Sequence, residues 1–232
     1  MQAVILVDIQ NDFLPGGALA VTQGDRVIAV ANELMAHCDL VVATQDWHPV
    51  DHESFAKNHP GKRPGDRVRL AGCEQVLWPT HCVQHTEGAQ LAANLHLDRI
   101  TRVFPKGTQP DVDSYSGFFD NGRLRATGLG DVLFEQCVSE VYLAGLATDY
   151  CVKATALDAC QLGFRTYVVK DACRGVNLQP GDDERALEEV CTAGGQVLTS
   201  KTLPMTLRRS GNGYVQKRGQ GQTKESDSGC RN

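Results

Sequence analysis

The feature that most constrains the fold is a series of short apolar segments separated by segments of helical periodicity. The apolar segments have the length and composition of buried strands, and they lie at residues 3–8, 39–45, 99–104, 140–146, 165–170 and 196–199. Two intervening segments show helical spacing, one behind the predicted cap Asp25 and one behind the acidic start Asp182–Glu184. Strands that alternate with helices pair in parallel through right-handed crossovers. The sequence therefore predicts an α/β fold with three layers, α/β/α, around a parallel sheet.

The length of 232 residues suits one well-buried domain. We assign this domain to residues 1–207. Residues 208–232 are polar and rich in glycine, with little to bury, so we predict a disordered tail. Residues 46–82 are rich in His, Pro and Gly and too long for an ordinary connection, which indicates a functional loop.

Charge and composition argue against several classes of partner. The net charge of −5 and the absence of a basic block before the tail disfavour nucleic acids and anionic membranes. The apolar runs are far shorter than the ~20 residues of a membrane span. The chain passes from Met1 almost directly into a strand, so no secretory signal is expected. Nine cysteines without a CxxC pair are typical of a cytoplasmic protein with reduced thiols, most of which fill the core.

Chemically active side chains follow four of the predicted strands. Ligands of open parallel sheets bind outside the carboxyl ends of the strands. The side chains delivered there are Asp8, Asp46, Lys106 and Cys151. Each alone is a weak signal, because a strand-terminal Asp often only caps a helix. Together they predict a reactive site at this edge.

Cys151 stands where a buried strand passes into a helix. Thr148 is a reasonable N-cap, which would place the thiol in the first helical turn, where free N–H groups and the helix dipole favour thiolate. A nearby Lys106 would act in the same direction. The small residues from Gly145 to Thr148 permit an oxyanion site built from backbone N–H groups. Asp8 is the proton acceptor that the sequence offers, since no histidine occupies the position expected in a Cys–His protease.

A second group of polar residues occupies the irregular loop. Asp46 and His48 alternate, and His52, His59 and His81 follow. One carboxylate and two imidazoles suit zinc or another divalent transition metal. The alternative is that these histidines are ordinary surface residues. No glycine-rich phosphate motif follows a strand, so dinucleotide and P-loop readings have no support.

These motifs carry a family resemblance. They read in order VDIQNDF, QDWHP, WPTHC, FPKG, DSYSGFFDN and GLATDYCV, within residues 3–203. The chain resembles the nicotinamidase/pyrazinamidase family of the isochorismatase-like cysteine hydrolase superfamily. The resemblance implies a six-stranded parallel sheet of order 3-2-1-4-5-6. It also implies hydrolysis of nicotinamide and pyrazinamide to the acid and ammonia, as part of NAD salvage.

The resemblance also implies roles for individual residues. It implies a catalytic triad of Asp8, Lys106 and Cys151, metal ligands Asp46, His48 and His81, ring-binding Phe13, Trp78 and Tyr115, and an oxyanion hole at Ala147 and Cys151. It further implies a cis peptide at Leu146–Ala147. The implied cofactor is one divalent metal ion, zinc in the first place, with iron or manganese as alternatives. Ser54 stands where some relatives place a further histidine ligand, and His52 is offset from that position.

Three alternatives share part of these features. One is an amidase of the same superfamily for carbamoyl or ureido substrates. Another is a hydrolase whose metal-bound water is the nucleophile, with Cys151 structural. The third is a ligand-binding sensor on an inactive scaffold, which the complete triad disfavours. In each case the expected partner is a small molecule, and a homo-oligomer remains open.

Overall fold

In the computed structural model, which describes residues 1–203, six parallel strands form a central sheet. The strands in chain order are β1 Gln2–Val7, β2 Leu40–Asp46, β3 Arg67–Leu70, β4 Cys73–Val76, β5 Arg102–Lys106, β6 Glu140–Leu146, β7 Arg165–Arg174 and β8 Gln196–Leu198. The sheet has the order β5-β2-β1-β6-β7-β8, whereas β3 and β4 form a separate antiparallel pair. Counting only its own strands, the sheet order is 3-2-1-4-5-6, which confirms the predicted topology.

Helices cover both faces of the sheet. They are α1 Val27–Met35, α2 Leu129–Glu135, α3 Lys153–Gln161 and α4 Asp182–Thr192. Alternate residues of β1 point to opposite faces, so Leu6 packs in the core beneath α1 and Ile5 packs in the core beneath the other three helices. The predicted three-layer α/β/α architecture is therefore confirmed.

Several predicted boundaries differ from those observed. The third sheet strand begins at Arg102 rather than at residue 99, because Leu97–Arg99 form a 3-10 turn. Strand β7 extends to Arg174, past a register shift in its pairing with β6. Asp25 does not cap α1, since it lies inside a 3-10 turn, Gly24–Arg26, that precedes the helix.

The segment 46–82 is irregular, as predicted, except for the hairpin β3–β4, which the sequence pattern did not indicate. The predicted tail, 208–232, lies outside the described residues. Within residues 1–203, no helix is both long and apolar enough to cross a membrane.

Candidate active site

The four side chains predicted at the carboxyl edge of the sheet meet at Lys106. The Nζ atom of Lys106 lies 2.9 Å from Asp8 Oδ2, 2.5 Å from Asp46 Oδ1 and 3.3 Å from Cys151 Sγ. It also donates to the carbonyl oxygen of Ser114 at 2.8 Å. Lys106 is almost completely buried. The structure therefore brings together two acids, a cation and a thiol that are far apart in sequence.

Close contact between β1 and β6 brings Asp8 toward Cys151. Gly145 has a φ of +136°, and a Cβ atom there would lie 2.0 Å from the carbonyl oxygen of Val7. Any side chain at this position would separate the two strands. The next peptide bond, Leu146–Ala147, is cis, as the resemblance implied.

Cys151 lies in a π-helical turn, Thr148–Val152, that precedes α3. The N–H of Val152 donates to the carbonyl oxygen of Ala147 at 3.1 Å, which is an i→i−5 bond. Ala147 precedes this turn, and no side chain caps it. The prediction that Thr148 is the N-cap is therefore wrong, because the extra residue of the wide turn moves Thr148 inside it.

Asp8 and the Cys151 thiol both have altered acidity. Burial raises the pKa of Asp8 to about 6, against the opposing effect of Lys106. Burial likewise raises the pKa of Cys151 well above its ordinary value, although Lys106 acts in the opposite direction. The expectation of a lowered thiol pKa is therefore wrong, because the loss of solvation outweighs the nearby cation. Asp8 is therefore the more acidic group of the pair.

One oxygen of Asp8 is held and the other is open. Thr44 Oγ1 donates to Asp8 Oδ1 at 2.6 Å. Asp8 Oδ2 has its ion-pair contact with Lys106, but among residues 1–203 no donor makes a hydrogen bond of good geometry to it. This oxygen is therefore able to accept a proton from a group in the site.

Asp46, His48 and His81 form a group whose ligand atoms converge. The Nε2 atoms of His48 and His81 lie 3.6 and 4.0 Å from Asp46 Oδ2. The Nδ1 atoms of the same rings are hydrogen-bonded to the carbonyl oxygens of Gly107 and Pro79, at 2.9 and 2.8 Å. Backbone contacts of this kind fix the tautomer and leave Nε2 for a metal. The donor set therefore fits a divalent transition metal.

The charges of Asp46 and His81 suit metal binding, whereas Asp46 raises the pKa of His48 against the opposing effect of burial, so His48 must lose a proton before it binds a metal. Burial alone would raise the pKa of Asp46, but Lys106 and the two histidines hold it well below its usual range. Burial lowers the pKa of His81 to about 4, assisted by His48. Asp46 is therefore ionised and His81 neutral at physiological pH, which are the forms that bind a metal.

His52 lies beside this group but is occupied by other contacts. Its Nδ1 pairs with Ser54 Oγ at 2.7 Å, and its Nε2 is 3.3 Å from the carbonyl oxygen of Val112. Its ring packs on His48, with 4.3 Å between ring centroids. His59 bonds to the carbonyl oxygen of Glu53, within its own loop. Both residues thus support the loop around the predicted ligands.

A small pocket opens above Cys151 and the three converging ligands. Its lining contains the predicted aromatic residues Phe13, Trp78 and Tyr115, and also Ala147. The structure therefore places every predicted site residue either in the pocket wall or directly beneath it.

Sequence reasoning missed several residues of the site. The pocket wall also contains Leu19, Asp113, Tyr150 and Val176. Tyr150 could have been predicted from the sequence, because it directly precedes Cys151 in the same turn. Thr44, which contacts Asp8, was harder to predict; its only sign in the sequence is that a polar residue follows the buried run LVVA. Leu19 and Val176 lie in loops without any local motif, and the sequence gives no sign of their positions.

Comparison with known proteins agrees with this geometry. The family model described as the isochorismatase domain matches residues 2–202. The nicotinamidase of Escherichia coli K12 is 52% identical over 202 residues, which cover 85% of this chain and 94% of that protein.

Two solved structures extend the comparison. A nicotinamidase/pyrazinamidase structure from Acinetobacter baumannii is 42% identical, has a TM-score of 0.84, and is matched over 88% of this chain and 98% of its own. The pyrazinamidase of Pyrococcus horikoshii, solved in complex with zinc, is 40% identical with a TM-score of 0.69, over 85% of this chain and 98% of its own. The chain therefore belongs to the isochorismatase family, within its group of nicotinamidases and pyrazinamidases.

Proposed function

We propose that this protein hydrolyses nicotinamide, and also pyrazinamide, to the carboxylic acid and ammonia through a thioester on Cys151. The observation that carries the proposal is the contact of Lys106 Nζ with both Cys151 Sγ and Asp8 Oδ2, beneath a pocket of aromatic residues and metal-binding side chains. Nicotinate formed in this way can re-enter the synthesis of NAD, so we assign the enzyme to NAD salvage.

The first half of the reaction forms the thioester. Asp8 Oδ2 accepts the proton of the Cys151 thiol as sulfur attacks the amide carbon, and Lys106 compensates negative charge on both groups. We assign the N–H groups of Ala147 and Cys151 to the oxyanion. The carbon–nitrogen bond then breaks, and Asp8 returns its proton to the nitrogen that leaves as ammonia.

The second half restores the enzyme. Asp8, again a carboxylate, removes a proton from water while the water oxygen attacks the thioester carbon. The carbon–sulfur bond breaks, and the thiolate of Cys151 regains the proton from Asp8. The overall change is amide plus water to acid plus ammonia, so Asp8 and Cys151 end in their starting states.

The pocket explains how the substrate is oriented. We assign Phe13, Trp78 and Tyr115 to contacts with the aromatic ring. Asp46, His48 and His81 would hold one metal ion, zinc in our proposal, although iron or manganese would suit the same ligands. When bound, the metal supplies a Lewis-acid contact to the ring nitrogen of the substrate. This contact would orient the carboxamide over Cys151.

We also infer a cytoplasmic location. The eight cysteines among residues 1–203 are all free thiols. This agrees with the reducing conditions of the cytosol.

The proposal is tested by ammonia release from nicotinamide, pyrazinamide and benzamide, with and without a chelator. Nicotinamide and pyrazinamide should lose most of their kcat/KM on chelation. Benzamide, which lacks the ring nitrogen, should be a poor substrate in both states. Equal proportional loss for all three amides would contradict an orienting role of the metal site.

The nucleophile is tested by Cys151→Ala, which should lower kcat by about 10⁴-fold or more. Cys173→Ala is the matched control, because Cys173 is also buried but its Sγ faces the carbonyl oxygen of Leu143 within the sheet. It should keep near-normal turnover. A Cys151→Ala variant that remains active would favour a metal-bound water as the nucleophile.

A further inference from the structure

Gln10 is completely buried, and its side chain is hydrogen-bonded to both backbone groups of Asp46. Gln10 Nε2 donates to the carbonyl oxygen of Asp46 at 2.8 Å, and Gln10 Oε1 accepts from the N–H of Asp46 at 2.8 Å. Nε2 also donates to the carbonyl oxygen of Ala89 at 2.8 Å. The carboxamide therefore holds the backbone of one residue at both its donor and its acceptor.

The side chain of Gln10 takes the place of strand β1, which has already left the sheet beside Asp46. The pairing of β1 with β2 ends at Leu6 and Ala43, and the chain leaves the sheet at Asp8, whose φ is +48°. Asp46 lies three residues beyond the last pair. There the side-chain amide of Gln10 provides the N–H and C=O groups that a neighbouring strand would otherwise provide. On the other side of β2, the N–H of Trp47 donates to the carbonyl oxygen of Lys106 at 2.9 Å.

The position of the Asp46 backbone matters because its two carboxylate oxygens face different partners. Oδ1 is 2.5 Å from Lys106 Nζ, whereas Oδ2 faces the Nε2 atoms of His48 and His81. A displacement of the backbone would move both oxygens together. It would then disturb the metal ligand and the partner of Lys106 in a single step.

We propose that Gln10 is a positioning residue for the metal site, acting through the backbone of Asp46. This inference rests on the metal site of the proposed function, but it does not depend on which amide is hydrolysed. Gln10 holds the carboxylate so that one oxygen can bind the metal while the other retains Lys106. Loss of its carboxamide should weaken the retention of metal more than it weakens the fold.

The test compares Gln10→Met with Gln45→Met. Gln45 Nε2 also donates to the carbonyl oxygen of Ala89 at 2.8 Å, but its side chain does not hold the backbone of Asp46. Each protein is loaded with zinc, and zinc release to a chromogenic chelator is followed without substrate. Gln10→Met should release zinc about 10- to 100-fold faster than the wild type, as is common for partners of metal ligands. Gln45→Met should stay within about threefold of the wild-type release rate, because the hydrogen bonds from Gln10 to the backbone of Asp46 remain.

Thermal melting of the metal-free proteins shows whether each variant is folded. If Gln10→Met does not fold, Gln10→Glu is measured in the same way, since it keeps the shape and the acceptor but cannot donate to the two carbonyl oxygens when ionised. A folded Gln10 variant with wild-type zinc release overturns the proposal. Equal acceleration in Gln45→Met also overturns it, because the shared contact at Ala89 would then be responsible. If the wild-type protein takes up no zinc, the metal site itself is contradicted. This result differs from wild-type zinc release by a Gln10 variant, which contradicts only the role of Gln10.

Discussion

Lys106 is an ammonium ion without access to solvent, and it is tolerated there because two carboxylates contact it. Burial alone would lower the pKa of Lys106, but Asp46 and Asp8 raise it well above its usual value. Removing one partner of a buried ion pair leaves an uncompensated charge and costs about 3–5 kcal/mol. Single substitutions among these three residues should therefore affect stability as well as catalysis, and kinetic tests need a folded control.

Asp8→Asn tests the proton acceptor at the level of one residue. Asparagine keeps the shape but cannot accept the thiol proton, so kcat should fall by roughly 10²- to 10⁴-fold or more. Asp158→Asn is the control, because Asp158 is a mostly buried aspartate on α3 that pairs with Arg123 away from the pocket. Turnover and thermal melting are measured for both. Near-normal turnover of Asp8→Asn would remove the general-base role.

Single-residue features differ in how far the sequence predicts them. Asp8, Lys106 and Cys151 could be predicted because each ends or follows a strand, and strand ends converge in a parallel sheet. The contact of Thr44 with Asp8 could not, because it depends on the register between β1 and β2. The acidity of Cys151 was predicted with the wrong direction, since burial is a property of the folded molecule.

At the level of elements, strands were predictable where both faces are covered. The sequence pattern identified β1 and β6 because nearly all of their residues are buried apolar side chains. The hairpin β3–β4 escaped prediction because only Leu70 and Gln75 of its strands are buried, and neither marks an apolar stripe. Within residues 1–203, the contacts of Gln75 link this hairpin to the pocket wall.

The hairpin supports one wall of the pocket through Gln75. Gln75 Nε2 donates to Asp113 Oδ2 at 2.8 Å and contacts Tyr115 Oη at 2.9 Å. Trp78 Nε1 donates to the same hydroxyl oxygen at 3.1 Å. Gln75 of β4 therefore holds two side chains of the pocket wall directly, and Trp78 joins them through Tyr115.

Gln75→Leu should loosen this wall without touching the triad. The change leaves Asp113 and Tyr115 with one hydrogen bond fewer, and we expect KM for nicotinamide to rise about fivefold or more while kcat changes little. Glu74→Gln is the control, because Glu74 lies on the same strand but pairs with Arg67 at the surface. Steady-state kinetics and melting temperature are compared. A lower melting temperature with unchanged KM would show that Gln75 serves only the fold.

At the level of the whole molecule, the site is assembled from distant parts of the chain. Residues that end or follow β1, β2, β5 and β6 meet at one edge, and the loop between β2 and β5 adds His81 and Trp78. The sheet order places β1 between β2 and β6. Asp8, which follows β1, therefore lies between Asp46 at the end of β2 and Cys151 after β6. On the far side of β6 the sheet continues through β7 to β8, which pairs with β7.

The part of the chain needed for folding and activity should end before residue 208. Residues 208–232 are polar in sequence, and the family model stops at residue 202, so truncation after Arg208 should leave melting temperature and kcat/KM unchanged. Truncation after Thr202 is the control, because it also removes Leu203, a buried member of the core beneath α1. Loss of a buried leucine contact costs about 1.5–3 kcal/mol, so this shorter protein should melt at a lower temperature. If truncation after Arg208 lowers the melting temperature by as much as truncation after Thr202, the C-terminal residues contribute to the folded molecule or to its assembly. Light scattering on the same samples separates these two cases.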